Sequence, residues 1–118
     1  MKYVCLIYQN EAQWATSTLE EKRAAFDAHR RLHETLQRDG IEWAGQRLEV
    51  AASAKSVRVE SGVSTITDGP FAETREQLAG FYSFECSEAQ ALRYAGILAA
   101  SEFGTFEVRP INSAGVDD

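Results

Sequence analysis

The segment from Lys2 to Tyr8 (KYVCLIY) is the feature that most restricts the fold, because it is apolar on both faces. Its β-branched, aromatic and aliphatic residues predict a strand, and in a strand alternate side chains point to opposite sides. The two faces consist of Tyr3, Cys5 and Ile7 on one side and of Val4, Leu6 and Tyr8 on the other. Such a strand requires cover on both sides of its sheet.

A long helix is predicted after this strand. Thr18 and Glu21 have the spacing of a capping box at its start, and Gly40 after Asp39 is a typical helix end. At 100° per residue, its apolar stripe contains His29. The stripe is formed by Ala25, Leu32 and Leu36, with Phe26 and His33 on its flank.

The remaining elements alternate in a simple order. Ser87 predicts the N-cap of a second helix that runs to about Leu98. Its inward residues are predicted to be Ala91, Leu92, Ala95 and Leu98. Strands are predicted at 41–50, 56–60, 63–67, 80–86 and 105–111, with 56–67 forming a hairpin around Ser61-Gly62. The order β-α-β-(hairpin)-β-α-β predicts one α+β domain, a ferredoxin-like sandwich with an extra hairpin over residues 1–111, followed by a polar tail at 112–118.

Two helices can cover only one face of the predicted sheet. The second face is also apolar, since Phe81 lies opposite Tyr82 and Phe84 on the strand that carries them. The simplest cover is a second copy of the sheet, which predicts a homodimeric α+β barrel. A cavity for an unidentified small molecule, inside or at the rim of the barrel, is plausible in such an assembly.

Composition excludes several classes of function. Of 118 residues, 12 are Lys or Arg and 18 are Asp or Glu, giving a net charge of -6, which argues against nucleic-acid binding and against an acidic membrane surface. The first apolar run is too short for a signal peptide and no run approaches the roughly 20 residues of a membrane span, so we expect a cytoplasmic protein. Cys5 and Cys86 have no metal-binding spacing, and no nucleotide, metal or cofactor motif is present.

The stretch Asp68-Gly69-Pro70-Phe71 predicts a turn with unusual chemistry. An Asp at the start of a turn usually accepts a hydrogen bond from the amide two residues later, but Pro70 has no N–H. Asp68 can therefore cap Phe71 or Ala72, or project towards a ligand, and Gly69 can adopt a positive φ. The simpler interpretation is a rigid turn that seats Phe71 against the core, and the functional one is a site carboxylate.

His29 is the second candidate, as a general acid-base group. A partly buried histidine needs an orienting partner, and Asp68, Glu73 or Glu102 could each supply a carboxylate. The alternative is a hydrogen-bonded histidine at the edge of the core. His33 is expected at the surface.

The charged segment after the turn and three aromatic residues complete the candidates. The simpler interpretation of Glu73 and Arg75 is a solvated polar connection. The functional interpretations are that they line the mouth of the cavity, binding a polar ligand, or form salt bridges between subunits. Tyr82 is a further candidate for ligand binding. Trp14, Trp43 and Tyr82 are otherwise expected in the core or an interface.

The block TDGPFAETREQLAGFY, together with MKYVCLIY and FEVRPI, resembles the DGPF-domain branch of the YCII-related family over nearly the whole chain. The resemblance implies a dimeric α+β barrel. It also implies possible association with extracytoplasmic-function sigma factors, beside or fused to which such domains are often encoded. Wider fold relatives include small cofactor-free monooxygenases, lyases and isomerases.

The resemblance also bears on His29. In the YCII branch, a first-helix histidine eleven residues before the terminal glycine is proposed to pair with an aspartate near the end of the second helix. His29 stands eleven residues before Gly40, but the corresponding later segment AGILAASEFGTF contains no aspartate. The sequence thus retains one half of that dyad.

Two functions are compatible with these features. The first is a small-molecule-binding homodimer acting as a cofactor-free acid-base enzyme of lyase, isomerase or hydrolase type, with His29 and Asp68 as its catalytic residues. The alternative is a non-catalytic accessory or sensor domain that acts through protein contacts, for example with a sigma factor.

Overall fold

A computed structural model describes residues 1–101 and 103–112 of the chain. Glu102 and residues 113–118 of the predicted tail lie outside the described residues. The order of elements is β1 (Lys2–Gln9), α1 (Glu11–Ala15), α2 (Leu19–Asp39), β2 (Trp43–Arg47), a 3-10 turn (Ala51–Ser53), β3 (Lys55–Glu60), β4 (Val63–Asp68), β5 (Gln77–Glu85), α3 (Glu88–Ala99) and β6 (Thr105–Pro110).

The main sheet has the strand order β2-β5-β1-β6, and its neighbouring strands are all antiparallel. The doubly apolar strand β1 lies inside the sheet, between β5 and β6, with Cys5 opposite Tyr82 and Val108. Strands β3 and β4 form a separate two-stranded sheet. The predicted α+β class is confirmed, and the arrangement is consistent with a ferredoxin-like fold.

Helix α2 begins and ends where its signals predict. Thr18 and Glu21 form the capping box, and Gly40 adopts the left-handed conformation at φ 65°. The residues buried along this helix are Ala25, Ala28, Leu32 and Leu36. Its apolar stripe therefore packs on the sheet and positions the histidines within and beside that stripe.

Helix α3 differs from the prediction on one position of its inner face. Its N-terminal capping box is formed by Ser87 and Gln90. Leu92, expected to be buried, is 56% exposed, and Tyr94 is fully buried instead. Tyr94 belongs to the i, i+3, i+4, i+7 series that starts at Ala91, and its hydroxyl donates a hydrogen bond to Asp39 at 2.7 Å. Because Asp39 accepts this hydrogen bond, the hydroxyl of Tyr94 keeps a polar partner although the ring is buried.

The short helix α1 was not expected from the sequence. Asn10 caps it by accepting a hydrogen bond from the amide of Gln13 at 3.0 Å. Glu11, at its first position, accepts the amide of Ala51 through its carboxylate at 3.1 Å. These contacts fix the one-turn helix and direct Trp14 towards α2, where its ring meets Phe26 edge-on with centroids 5.9 Å apart.

The β3–β4 hairpin and the loop that follows it connect β2 to β5. Ser61 and Gly62 form the predicted tight turn, with φ values of 50° and 78°. Gly69 has the positive φ expected of it, at 95°. Phe71, however, is 78% exposed, so the interpretation that this turn seats Phe71 against the core is wrong for the single chain.

The face of the main sheet opposite the helices is only partly covered within one chain. Val4, Leu6 and Phe81 on that face are each half-buried, whereas Cys5 and Phe84 on the helix side are fully buried. The dimeric barrel stays a prediction. Across the described ranges, no helix has both the length and the apolar character needed to span a membrane.

Candidate functional site

A cavity lies on the helix side of the sheet, where α1 and the first half of α2 face strands β2 and β5. Its volume is about 290 Å³. The lining residues are mostly apolar and aromatic: Ile7, Gln9, Trp14, Ala25, Phe26, His29, His33, Trp43, Gly45, Gln46, Arg47, Ala79, Gly80, Phe81 and Tyr82. An apolar pocket with a few convergent polar groups is the usual form of a small-molecule site.

Three of these polar groups form one hydrogen-bonded network. The Oη atom of Tyr82 lies 2.7 Å from Nδ1 of His29 and 2.8 Å from Nε2 of His33. The ring of Tyr82 stacks on that of His29 with centroids 5.7 Å apart, and the ring itself is buried. The two histidines thus hold a single phenol between them.

The local sequence explains this convergence. His29 and His33 are four residues apart on α2, so both project from the same side of the helix, one turn apart. Tyr82 lies on the helix-facing side of β5, opposite Gly45 of β2. A Cβ atom at Gly45 would lie 2.9 Å from Cδ1 of Tyr82, so glycine provides the space for the ring.

The environment shifts the acid-base properties of two members. Burial raises the pKa of Tyr82 to about 12, so the phenol keeps its proton at neutral pH. Burial, followed by the positive charges of His33 and Arg47, lowers the pKa of His29 from its ordinary value of 6.5. His29 is therefore a neutral base at pH 7.

The proton count of the network determines what it can do. A phenol has one O–H, so Tyr82 donates to one imidazole and can accept an N–H from the other. If it donates to His29 Nδ1, then His29 carries its proton on Nε2, and His33 donates from Nε2 and has a free lone pair on Nδ1. If the phenol donates to His33, the assignments reverse. In either state the two outer nitrogens comprise one proton donor and one acceptor.

Aromatic side chains and one arginine line the cavity beside this network. Trp43 packs against His33 with ring centroids 4.6 Å apart. Trp14 is brought to the cavity by α1, and the guanidinium of Arg47 lies 5.6 Å from the centroid of its ring. This cation–π contact holds Arg47 beside the cavity although its side chain is exposed.

The structure places the predicted site residues in two separate regions. His29 and Tyr82 meet in the cavity. Asp68 ends β4 in the hairpin sheet, where its side chain is 87% exposed and bonded to Lys55 Nζ at 2.6 Å. Within the single chain, Asp68 is therefore not among the residues that line the cavity with His29. Glu73 and Arg75 are exposed in the loop before β5 and do not line the cavity.

Sequence reasoning did not place several of the lining residues at a site. His33 is exposed, as expected, but it also lines the cavity. Trp14 and Trp43, expected in the core or an interface, line the cavity as well, and Arg47 was not singled out. The i, i+4 spacing of the two histidines was the signal that could have identified His33. Within the described part of the chain, no three His, Cys, Asp or Glu side chains are grouped as a metal site.

Comparison with known proteins identifies the family of the chain. The model of the YCII-related domain matches residues 1–113. The chain belongs to the YCII-related family. An uncharacterized protein of Rhizobium meliloti (strain 1021) is 37% identical over 120 residues, an alignment that covers 94% of this chain and 92% of that protein.

Proposed function

We propose that this YCII-related protein is a small-molecule-binding homodimer that catalyses a cofactor-free proton transfer in the cavity described above. The observation that carries the proposal is the position of the Tyr82 hydroxyl, within hydrogen-bond distance of both His29 and His33. An acid-base group within reach of a second one, beside an apolar pocket, is the arrangement that general acid-base catalysis requires.

The network supports removal of a proton at one point and its return at another. When the Nε2 of His29 is unprotonated, it accepts a proton from a carbon of the substrate. Its Nδ1 proton passes to the oxygen of Tyr82, whose own proton passes to Nε2 of His33, and His33 Nδ1–H then protonates the substrate. One proton enters and one leaves, and each imidazole has changed from its Nδ1–H to its Nε2–H tautomer.

This chemistry favours isomerase-type reactions, and a lyase or hydrolase would use the same donor and acceptor. The raised pKa of Tyr82 supports it, because a phenol that keeps its proton can transfer protons without becoming an anion. The lowered pKa of His29 supports it as well, because the base is unprotonated at neutral pH. The network needs neither a metal nor an organic cofactor.

The homodimer is supported by two apolar surfaces. The uncovered sheet face carries the half-buried Val4, Leu6 and Phe81. The hairpin has one apolar face, on which Val57 is paired with Ile66 and Val59 lies beside them. Val59 is 70% exposed and Ile66 is 69% exposed. A second copy that contacts both surfaces would remove this apolar area from water.

Assignment to the DGPF branch is supported by the block from Asp68 to Tyr82 that gives the branch its signature. In one chain this block links the exposed hairpin to Tyr82 in the cavity. Asp68, Glu73 and Arg75 on its outer part are available for contacts between subunits.

Hydrogen–deuterium exchange of 2-indanone in D₂O tests the proton-transfer function, because this flat carbon acid is uncharged and its exchange is followed by proton NMR. We expect the protein to accelerate exchange above an equal concentration of imidazole. Tyr82→Phe should reduce the acceleration by about 10²-fold, within the range of general acid-base effects. Tyr8→Phe is the matched control, since the Tyr8 hydroxyl bonds to Glu107 outside the cavity.

Equal exchange with wild type and Tyr82→Phe would contradict the enzyme proposal. It would favour the alternative function, an accessory or sensor domain that acts through protein contacts such as those with a sigma factor. In that case His29→Ala would alter only folding or partner binding.

A further inference from the structure

The charge of the cavity is opposite to that of the protein. The chain has a net charge of -6, yet no Asp or Glu is among the described residues that line the cavity. The charged residue of the lining is Arg47. A low-dielectric cleft lined by one sign of charge attracts ligands of the other sign.

Arg47 is held in place without its charge being neutralised. Its guanidinium lies 5.6 Å from the centroid of the Trp14 ring, which also has the ammonium of Lys22 at 5.6 Å. Within residues 1–101 and 103–112, no carboxylate forms a salt bridge with Arg47, whereas Arg30, Arg93 and Arg109 each have an acidic partner. The planar fork of a guanidinium matches a carboxylate with two parallel hydrogen bonds.

The rest of the lining indicates the shape of the ligand. Rings of Trp14, Phe26 and Trp43 line the cavity, together with the aliphatic side chain of Ile7. The volume of about 290 Å³ is at the lower end of the range for small-molecule sites, roughly 300–1,000 Å³. Such a space suits a compact, flat and apolar body of about one ring.

We propose that the ligand of this cavity is a small organic anion, a carboxylate with a flat aromatic or unsaturated body, which Arg47 binds at the carboxylate end. The body lies against Trp14 and Trp43, and an acidic carbon of it lies beside His29. This inference rests on the proposed function, because it names the substrate class of the same site. It adds Arg47 as the group that selects and orients the substrate.

The test compares three probes that differ in charge at one position: benzoate, benzamide and benzylamine. The chain contains two Trp and two His residues, and all four line this cavity. Tryptophan fluorescence and the imidazole NMR signals therefore report binding at the site without background from elsewhere. Titrations with wild type, Arg47→Gln, Arg47→Lys and the exposed hairpin variant Arg58→Gln complete the design.

We expect benzoate to bind at least about tenfold more tightly than benzamide, the effect of one charge-assisted contact, and benzylamine to bind most weakly. Arg47→Gln should abolish the preference for benzoate, and Arg47→Lys should retain part of it. Arg58→Gln changes the net charge equally and should leave the preference intact.

Two results would overturn the inference, and they differ in what they mean for the proposed function. If benzamide or benzylamine binds as tightly as benzoate, or if Arg47→Gln keeps the preference for benzoate, the ligand is not selected as an anion. The proton-transfer proposal is then still tested separately by the exchange of uncharged 2-indanone. If none of the probes changes the histidine or tryptophan signals at millimolar concentration, the cavity is not a ligand site, and both proposals fail.

Discussion

His29 Nδ1 lies 2.7 Å from Tyr82 Oη, a contact that joins the middle of the long helix to the strand beneath it across 53 residues of sequence. The same hydroxyl lies 2.8 Å from His33 Nε2. The chemistry that the site can perform depends on this shared phenol, because it couples the protonation of two imidazoles.

Gly45 provides a way to displace Tyr82 without altering any polar group. A Cβ atom at this position would lie 2.9 Å from both the carbonyl oxygen of Phe81 and the Tyr82 ring, so backbone and ring must shift. We expect Gly45→Ala to lower the free energy of unfolding by about 1–3 kcal/mol, as overpacking does, and to reduce 2-indanone exchange.

Gly96→Ala is the control for this variant. A Cβ atom at Gly96, inside α3, would meet no atom within 4 Å. The substitution should stabilise the protein by about 0.5–1 kcal/mol and leave exchange unchanged. Urea unfolding and the exchange assay measure both effects, and a Gly45→Ala protein with wild-type values in each would contradict the packing argument.

The lowered pKa of His29 predicts a pH dependence of stability. The unfolded chain binds a proton at this residue near its ordinary value of 6.5, whereas the folded chain binds it only at lower pH. The unfolded state therefore holds more protons between these two values, and the free energy of unfolding falls as pH falls through that window.

The variant His29→Gln tests the origin of this dependence. It keeps a side chain that can bond to Tyr82 but does not titrate, so the loss of stability between about pH 7 and pH 5 should be smaller than in wild type. Urea denaturation at the two pH values measures the difference. An unchanged pH dependence would assign the effect to another group.

Asp68→Asn tests the placement of the carboxylate that the sequence singled out. The ion pair of Asp68 with Lys55 is exposed on both sides, and such pairs contribute little to stability. We expect a change in the free energy of unfolding within about 0.5 kcal/mol and no change in 2-indanone exchange. A loss of exchange as large as that of Tyr82→Phe would show that Asp68 acts at the cavity, as it could from a second subunit.

The apolar face of the hairpin predicts a specific effect on oligomeric state. The double variant Val59→Ser/Ile66→Ser removes two exposed apolar side chains from that face and should convert the proposed dimer to monomer in sedimentation experiments. Val63→Ser is the control, because Val63 is also well exposed, at 61%, but lies on the opposite face of the hairpin. A wild-type monomer, or a double variant that stays dimeric, would contradict the proposed contact.

The sequence predicted correctly those features of the fold that depend only on residues close together in the chain. The capping box at Thr18, the stop at Gly40 and the tight turn at Ser61-Gly62 are all present as expected. They are encoded within a few residues, where hydrogen-bond geometry and allowed φ values decide the outcome. The α+β order followed from them.

The site was less accessible from the sequence because its contacts are long-range. The helical wheel located His33 on the flank of the stripe, but it could not show that a phenol from β5 would reach that flank. The one-turn helix that delivers Trp14 is too short to have a periodic pattern. The residues around Asp68 predicted the positive φ of Gly69 correctly. They could not show whether Phe71 would be buried or exposed, because that depends on residues far away in the sequence.

The tautomers of the two histidines are the most direct test of the shared phenol. Two-bond ¹H–¹⁵N correlation spectra of the chain, which has two histidines, resolve the protonation of each imidazole nitrogen. At a pH above 7, we predict that the nitrogen facing Tyr82 is protonated in one ring and unprotonated in the other. If the two states interchange rapidly, each facing nitrogen should show the average of the two states. Tyr82→Phe should abolish this complementary protonation. If both facing nitrogens are fully protonated, or if Tyr82→Phe leaves the ¹⁵N shifts unchanged, the phenol does not relay protons and the account is contradicted.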